Sequence, residues 1–309
     1  MRRYRAAVLG YYGFGNLGDE LLLRACLEMF RRCGLRREDV VVLSASPEDA
    51  CSVNRWKFRE VVRALRESDT LLLGGGGLFQ DTTSVKSCVW YWGIVRLAKL
   101  LVCRVWALGQ SVGPLKSRVS RMLAGDALRL CEAVHVRDEK SYSLAKSLGC
   151  RNVIRGHDLV LSLPADVQPH AAACTLVNLR PCADLDTFTR IIAPNLKGRV
   201  VGVALSDEDI DAMKGLSLTE IVRVRSFSEA ADVWSKASCA VGMRLHFGVL
   251  SRIFRTPLAM MPYDPKVSEF ASQSGVPCIT DEWCEPVMPR PVPECSGEID
   301  ALCREMLGL

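Results

Sequence analysis

The sequence lacks most of the features that would settle its class at once. No apolar run approaches the roughly 18 to 20 residues that a membrane-crossing helix needs. The best stretch, Leu97–Leu108, is broken by Lys99 and Arg104. The opening MRRYRAAVLG has no sustained apolar core of the secretory kind, and its Ala6–Gly10 run reads as a first strand. A cytoplasmic protein is the expectation. Fourteen cysteines are present, but no C-x-x-C pair occurs, so neither a disulfide framework nor a metal-site spacing is signalled. They read as small core residues, with no metal or other cofactor implied. A net charge of +5 is too mild to mark a nucleic-acid binder. No G-x-x-x-x-G-K-[ST] occurs, which argues against a P-loop.

What is present is ordinary globular material: 309 residues, 49% hydrophobic and 24% charged, enough for two cores. Short β-rich runs alternate with segments of helical period, the signature of parallel sheets. The first series of strands is Arg5–Gly10, Val40–Ser44, Thr70–Gly74, Arg104–Leu108 and Ala133–Arg137. Helices are expected over Asp19–Arg32, Arg55–Glu67 and Trp90–Leu101. A second series runs through Thr175–Leu179, Arg199–Leu205, Ile221–Val224, Cys239–Val241 and Pro257–Met260. The proline-bearing, aperiodic LSLPADVQPHAAA between them marks a linker. We therefore expect an α/β protein of two doubly wound domains, 1–165 and 166–309, facing a cleft. A last helix over Glu298–Met306 is free to return to the first domain. The early arginines Arg2, Arg3, Arg5, Arg31, Arg32, Arg36 and Arg37 are either a solvated face or a patch for phosphate groups or an anionic membrane surface.

The candidate chemistry sits where strands end, because ligands of doubly wound sheets bind outside the carboxyl ends of the strands. GYYGFGNLGDE, at Gly10–Glu20, matches G-x-G-x-x-G formally. Asp19 and Glu20 stand where a pyrophosphate would rest, and no carboxylate follows the second strand, so a dinucleotide is rejected. A tight turn admitting an acceptor past Gly15, Asn16 and Asp19 competes with a purely structural turn. In LLLGGGGLFQD the glycines Gly75, Gly76 and Gly77 invite close approach by a ligand or by the facing domain, and Asp81 ends the loop. Gln110 lies in GQSVGP at the end of another strand, and Arg137 in VRDEKS could grip a carboxylate or phosphate. Its alternative is a surface pairing with Asp138 or a capping arrangement.

Two further motifs lie in the second half. In CAVGMRLHFG a strand stops at Gly242 and a helix starts near Leu245, placing Arg244 and His246 at a helix N-terminus, which attracts anions. His246 there is a candidate proton donor. In PYDPKV two prolines stiffen a turn that presents Lys266. The acidic Ser206-Asp207-Glu208-Asp209 reads as a helix cap in preference to a metal site, and His157-Asp158 as structural.

The ordered set GYYGFGNLGDE, GGGGLFQD, GQSVGP, VRDEKS, GMRLH and YDPKV resembles the polysaccharide pyruvyl transferase family, most of all its branch acting on secondary cell-wall polymers for surface-layer anchoring. The resemblance implies two Rossmann-like domains of the GT-B kind and transfer of pyruvyl from phosphoenolpyruvate to a sugar, with phosphate released. It implies a lipid-diphosphate-linked acceptor carrying N-acetylmannosamine, peripheral contact with the inner membrane surface, no nucleic acid and no metal. The family's donor-site arginine, histidine and lysine correspond to Arg137, His246 and Lys266, with Arg244 beside them. Phe247 and Gly248 depart from its pattern, and RGHDLVLSLP keeps only the aspartate. A nucleotide-sugar glycosyltransferase on the same fold is the alternative.

Overall fold

In the computed structural model, which describes residues 2–82, 85–165 and 173–309, the chain divides into two compact units. The first comprises Met1–Phe14, Leu22–Leu163 and Glu294–Leu309, the second Gly15–Leu21 and Pro164–Pro293. The start of the second unit is thus a short segment from the first glycine motif, which the sequence had grouped with the N-terminal domain. Residues 166–172 of the expected linker lie outside the described residues.

The first unit is built from β1 (Tyr4–Leu9), α1 (Leu17–Arg32), β2 (Val40–Ser44), β3 (Ser52–Asn54), α2 (Phe58–Arg66), β4 (Ser68–Phe79), α3 (Val85–Leu100), β5 (Arg104–Val112), α4 (Arg118–Arg129), β6 (Val134–Val136), α5 (Glu139–Ser147) and β7 (Val153–Arg155). The strands form one parallel sheet in the order β3-β2-β1-β4-β5-β6-β7. The order reverses beside β1, the position where doubly wound sheets open a crevice. Central strands read VVVLS and TLLLG because both faces are covered. Helices α2 to α5 share one core on one face, while Cys26 of α1 packs beside Val8 on the other.

Three differences from the sequence reading concern strands. The short edge strands β3 and β7 were not foreseen; three residues leave too little period to read. The glycine run is not a loop after a strand: β4 continues through Gly74–Gly77 to Phe79, pairing Gly76 with Gln110 and Phe79 with Val112 of β5. Gly75 and Gly76 take φ of +87° and +88°, which side chains other than glycine rarely adopt. The space around the run is used mostly by the unit's own side chains. A Cβ on Gly74 would lie 2.3 Å from the Tyr12 hydroxyl, which donates to the Gly74 carbonyl, and one on Gly75 would meet Leu22 and Leu159.

The second unit contains β8 (Cys174–Asn178), α6 (Leu185–Ile192), β9 (Val200–Ala204), α7 (Asp207–Met213), β10 (Glu220–Arg223), α8 (Phe227–Trp234), β11 (Ala237–Gly242), α9 (Leu245–Ile253), β12 (Leu258–Met260) and α10 (Pro265–Ser274). Its parallel sheet runs β10-β9-β8-β11-β12. The final helix α11 (Ser296–Leu307) belongs to the first unit. There Asp300 takes a bidentate bond from Arg32 at 2.8–3.0 Å, and Arg5 donates to the Leu307 carbonyl.

Part of the arginine-rich start is paired locally. Arg31 pairs with Glu28, Arg36 with Glu38 and Asp39, and Arg37 with Asp49, while Arg2 donates to the carbonyls of Ser68 and Leu101. Among the described residues no helix is long and apolar enough to cross a membrane.

One histidine is part of the first core. His135 on β6 is fully buried, accepts the Gly109 N–H at Nδ1, and lies against Gly156, where a Cβ would meet its Nε2 at 1.7 Å. Burial, with a smaller push from His157, lowers its pKa from 6.5 to about 4. The unfolded chain therefore takes up this proton first as pH falls. The stabilisation is complete above about pH 6.5 and is lost progressively toward pH 4, by about 3 kcal/mol in total. Urea titrations across that window should show this acid loss, and His135→Gln, whose amide oxygen can still accept from Gly109, should flatten it. An unchanged acid limb in the variant would remove His135 as its cause.

Candidate active site

The start of α9 is the best-organised polar region of the second unit. Every residue of α9 except His246 is buried. Phe247 packs on Gly242 and on Trp234, ring centroids 5.3 Å apart, and Gly248 admits Phe270 and Met260 against the helix backbone. The two departures from the family pattern are thus packing residues, and the helix has one accessible side chain in its first turn.

Arg244, the residue before α9, is 8% exposed and is held from two sides. Its backbone N–H donates to Asn178 Oδ1 at 3.0 Å, while its Nε donates to both oxygens of Asp209 at 2.8 Å. Nη2 reaches Asp209 Oδ1 at 2.6 Å and Glu208 Oε1 at 2.5 Å. Asp209 is fully buried and also accepts the N–H groups of Leu205 and Ser206 and the amide of Asn178. Burial alone would lower the Arg244 pKa, but the bonds to Asp209 and Glu208 overcome it and raise it. The acidic segment therefore caps α7 and neutralises Arg244. Among the described residues no group of three His, Cys, Asp or Glu side chains could hold a metal.

The glycine turn from the beginning of the chain reaches this region. Leu17 N–H donates to the Leu205 carbonyl at 2.9 Å, and Arg223 donates to the Gly15 carbonyl at 2.6 Å. A Cβ on Gly18 would lie 2.1 Å from His246 Nδ1, so glycine is needed there for the imidazole to sit against the backbone. Asn16 accepts the Gly18 N–H and donates to Asp19 at 2.7 Å, closing the first turn of α1. Gly15 at φ +72° has open space where its Cβ would be.

Beyond β12, Asp264 caps α10 by accepting the Lys266 N–H, and the Lys266 ammonium lies 3.3 Å from the same carboxylate. Among the described residues, the Lys266 ammonium pairs with Asp264. Arg180, just past β8, was missed by the sequence reading. It stacks over Tyr263 at 4.7 Å, donates to its hydroxyl at 3.0 Å, and lies 3.6 Å from Glu208. Its signal was an arginine directly after a strand end, the placement that singled out Arg137. Asn178, Asp209 and Arg244 are thus joined through Glu208 to Arg180 and Tyr263 at the carboxyl ends of β8, β9, β11 and β12.

The other candidates belong to the first unit. Arg137 follows β6, is 7% exposed, and donates from Nη1 to Asp158 Oδ2 at 2.8 Å. Asp138 instead caps α5 through the Ser141 N–H. The aspartate retained in RGHDLVLSLP is therefore the partner of Arg137. Gln110 is fully buried, its amide donating to the carbonyls of Leu73 and Leu108, while its Oε1 makes no hydrogen bond among the described residues. Asp81 accepts the N–H groups of Lys116 and Ser117 at 2.8 and 2.7 Å and so anchors the approach to α4. Burial pushes its pKa up, but these backbone bonds outweigh it and hold the carboxyl below its ordinary range. Of the glycines, Gly77 is exposed with open space around it.

A family model described as polysaccharide pyruvyl transferase matches residues 16–265, from Asn16 beside the α1 turn to Pro265, one residue short of Lys266. No curated protein sequence matches the chain. Among solved structures, UDP-GlcNAc 2-epimerase from Methanocaldococcus jannaschii is similar with a TM-score of 0.60 at 9% identity, over 98% of this chain and 92% of that one. UDP-GlcNAc 2-epimerase from Neisseria meningitidis gives 0.54 at 9% identity, over 98% and 91%. A functionally uncharacterised protein from Klebsiella pneumoniae gives 0.50 at 15% identity, over 89% and 93%. Likeness at such identities establishes the fold, two Rossmann-like domains of the GT-B kind.

Removing one partner of a buried pair strands the other's charge. Asp209→Ala should therefore cost about 3–5 kcal/mol of stability in chemical denaturation. The double variant Asp209→Leu, Arg244→Met should cost clearly less. Equal losses in the two would show that the pair is not what fixes this region.

Proposed function

Because the chain belongs to the polysaccharide pyruvyl transferase family, we propose that it moves the pyruvyl group of phosphoenolpyruvate onto two hydroxyls of one sugar, closing a ketal and releasing phosphate. The observation that carries this reading is His246: the one accessible residue of α9, in its first turn, seated on the backbone of Gly18. In this reading the imidazole delivers a proton to the methylene carbon of the donor. The C2 carbon becomes electrophilic, and one sugar hydroxyl adds to it. The C2–O bond to phosphate then breaks, and the second hydroxyl closes the ketal. One hydroxyl proton balances the new methyl group and the other leaves with phosphate or the medium.

A donor with both carboxylate and phosphate calls for several cations. We assign that task in the second unit to Lys266 and Arg180, with Arg244 beside them; Arg137 is the first unit's own candidate for an anion. Arg244 has its charge balanced by Asp209, so its main part is to fix the start of α9. Arg137 donates from Nη1 to Asp158; in this reading its other N–H groups meet the anion. On the acceptor side we place Gly15, Asn16 and Asp19, with Gly75, Gly76, Gly77, Asp81 and Gln110. Asn16, Asp81 and Gln110 act there chiefly by holding backbone. The acceptor we infer is N-acetylmannosamine on a lipid-diphosphate-linked cell-wall precursor, reached from the cytoplasmic face of the membrane. Its ketal would supply the negative charge to which surface-layer proteins dock.

Phosphate release from phosphoenolpyruvate in the presence of lipid-linked disaccharides tests the reading. His246→Ala and His246→Gln should lower it by about 100- to 10,000-fold with unchanged circular dichroism. Normal turnover in either would exclude His246 as the acid. Gly18→Ala, which must push the imidazole away, should lower kcat more than it raises KM. Phosphoenolpyruvate should raise the melting temperature and UDP- or GDP-sugars should not. The reverse pattern would make the protein a nucleotide-sugar glycosyltransferase, and binding without turnover across acceptors a carrier.

A further inference from the structure

The first unit carries an exposed surface that is both apolar and cationic. Helices α2, α3 and α4 lie side by side over one face of the sheet, and each starts just after the carboxyl end of a strand. At these starts the apolar side chains Trp56, Phe58, Val89, Val119 and Met122 are 47% to 67% exposed. Exposed large apolar side chains are unremarkable singly, but a contiguous group at one edge marks an interaction surface. Contiguity follows from the packing. The Trp56 and Trp90 rings lie 5.2 Å apart, and Val89 precedes Trp90. One turn further along α3, Trp92 donates to Asp126 of α4, which places Val89 and Met122 together at the preceding turn of the two helices.

Trp56 is held outward by a built support. The Arg55 guanidinium, 2% exposed, lies 5.2–5.5 Å from the ring centroids of Phe14, Trp56, Trp90 and Tyr91, and donates to the Gly10 carbonyl at 2.6 Å. A buried cation under four rings fixes the aromatic edge in place.

Exposed cations are interspersed with these apolar groups: Lys57, Arg59, Lys116, Arg118 and Arg121. Only Lys57 has a carboxylate partner among the described residues, Glu60 at 3.1 Å. The other carboxylates near these turns are spoken for, Asp81 by two backbone N–H groups and Asp126 by Trp92 and Arg96.

We propose that this edge docks the first unit onto an anionic phospholipid surface. Tryptophan, phenylalanine and methionine would enter the headgroup layer while the arginines and lysines meet lipid phosphates. Charge complementarity selects this occupant. A second copy meeting the same face would set cation against cation. The inference deepens the lipid-linked acceptor reading, but its test needs no turnover, so either can fail alone.

Vesicle cosedimentation decides it. The full-length protein should bind vesicles of phosphatidylcholine with added phosphatidylglycerol, bind phosphatidylcholine alone weakly, and be released by salt. Trp56→Ser with Phe58→Ser, and separately Arg118→Gln with Arg121→Gln, should each weaken binding by at least about tenfold. Melting temperature and the phosphoenolpyruvate-induced shift verify that each pair is folded. Arg31→Gln with Arg36→Gln, from the paired part of the early cluster, should bind like the unaltered protein. The proposal is overturned by no preference for anionic vesicles, by full binding in both edge variants, or by loss of binding in the Arg31, Arg36 variant. It is also overturned if Trp56→Ser with Phe58→Ser abolishes a dimer seen by light scattering or raises KM for a soluble acceptor sugar while leaving vesicle binding intact.

Discussion

The buried pair between Asp209 and Arg244 organises the second unit, because it joins segments that the chain makes far apart. Asp209 takes two guanidinium nitrogens, two backbone N–H groups after β9 and the amide of Asn178 at the end of β8. Arg244 in turn sets where α9 begins and hence where His246 stands. A charge pair out of water contributes little net stability compared with apolar residues, but breaking it is costly. Its value is positional: three strand ends are held in one register by directional bonds that an apolar contact could not supply. The polar cost sits beside a helix whose other residues are buried, so the histidine that remains accessible has little freedom to move.

The same economy recurs in the first unit. Arg137 is balanced by Asp158, Arg55 by a carbonyl and four rings, and Asp81 by two backbone amides. Cations that look in sequence like ligands for external anions are in several cases already bonded. Exposed cations lie, among other places, at the starts of α2 and α4.

Much of this was legible in the sequence. Alternating strand and helix periods gave both sheets, because parallel strands buried on both faces read as unbroken apolar runs. Strand-end glycines and an arginine–histidine turn were legible for the same reason: a helix N-terminus after a parallel strand is a local pattern. What stayed hidden was long-range. The partner of Arg244 lies 35 residues away and that of Arg137 lies 21 away, and no periodicity couples such distances. Arg180 had the same strand-end placement as Arg137, but its link to Tyr263 is 83 residues long and so was not legible. The glycine run misled because its positive-φ backbone resembles a turn in composition while continuing as a strand in pairing.

The division of α1 bears on how the chain can fold as it is synthesised. Residues 15–21 lie against Leu205, Arg223 and His246, which the chain makes much later. The first unit, conversely, acquires α11, which follows the whole of the second unit in the chain. Neither unit can be completed by the half of the sequence that supplies most of it. An emerging chain must hold its first glycine turn in reserve for about two hundred residues of further synthesis, and the final helix closes a unit whose sheet was finished long before.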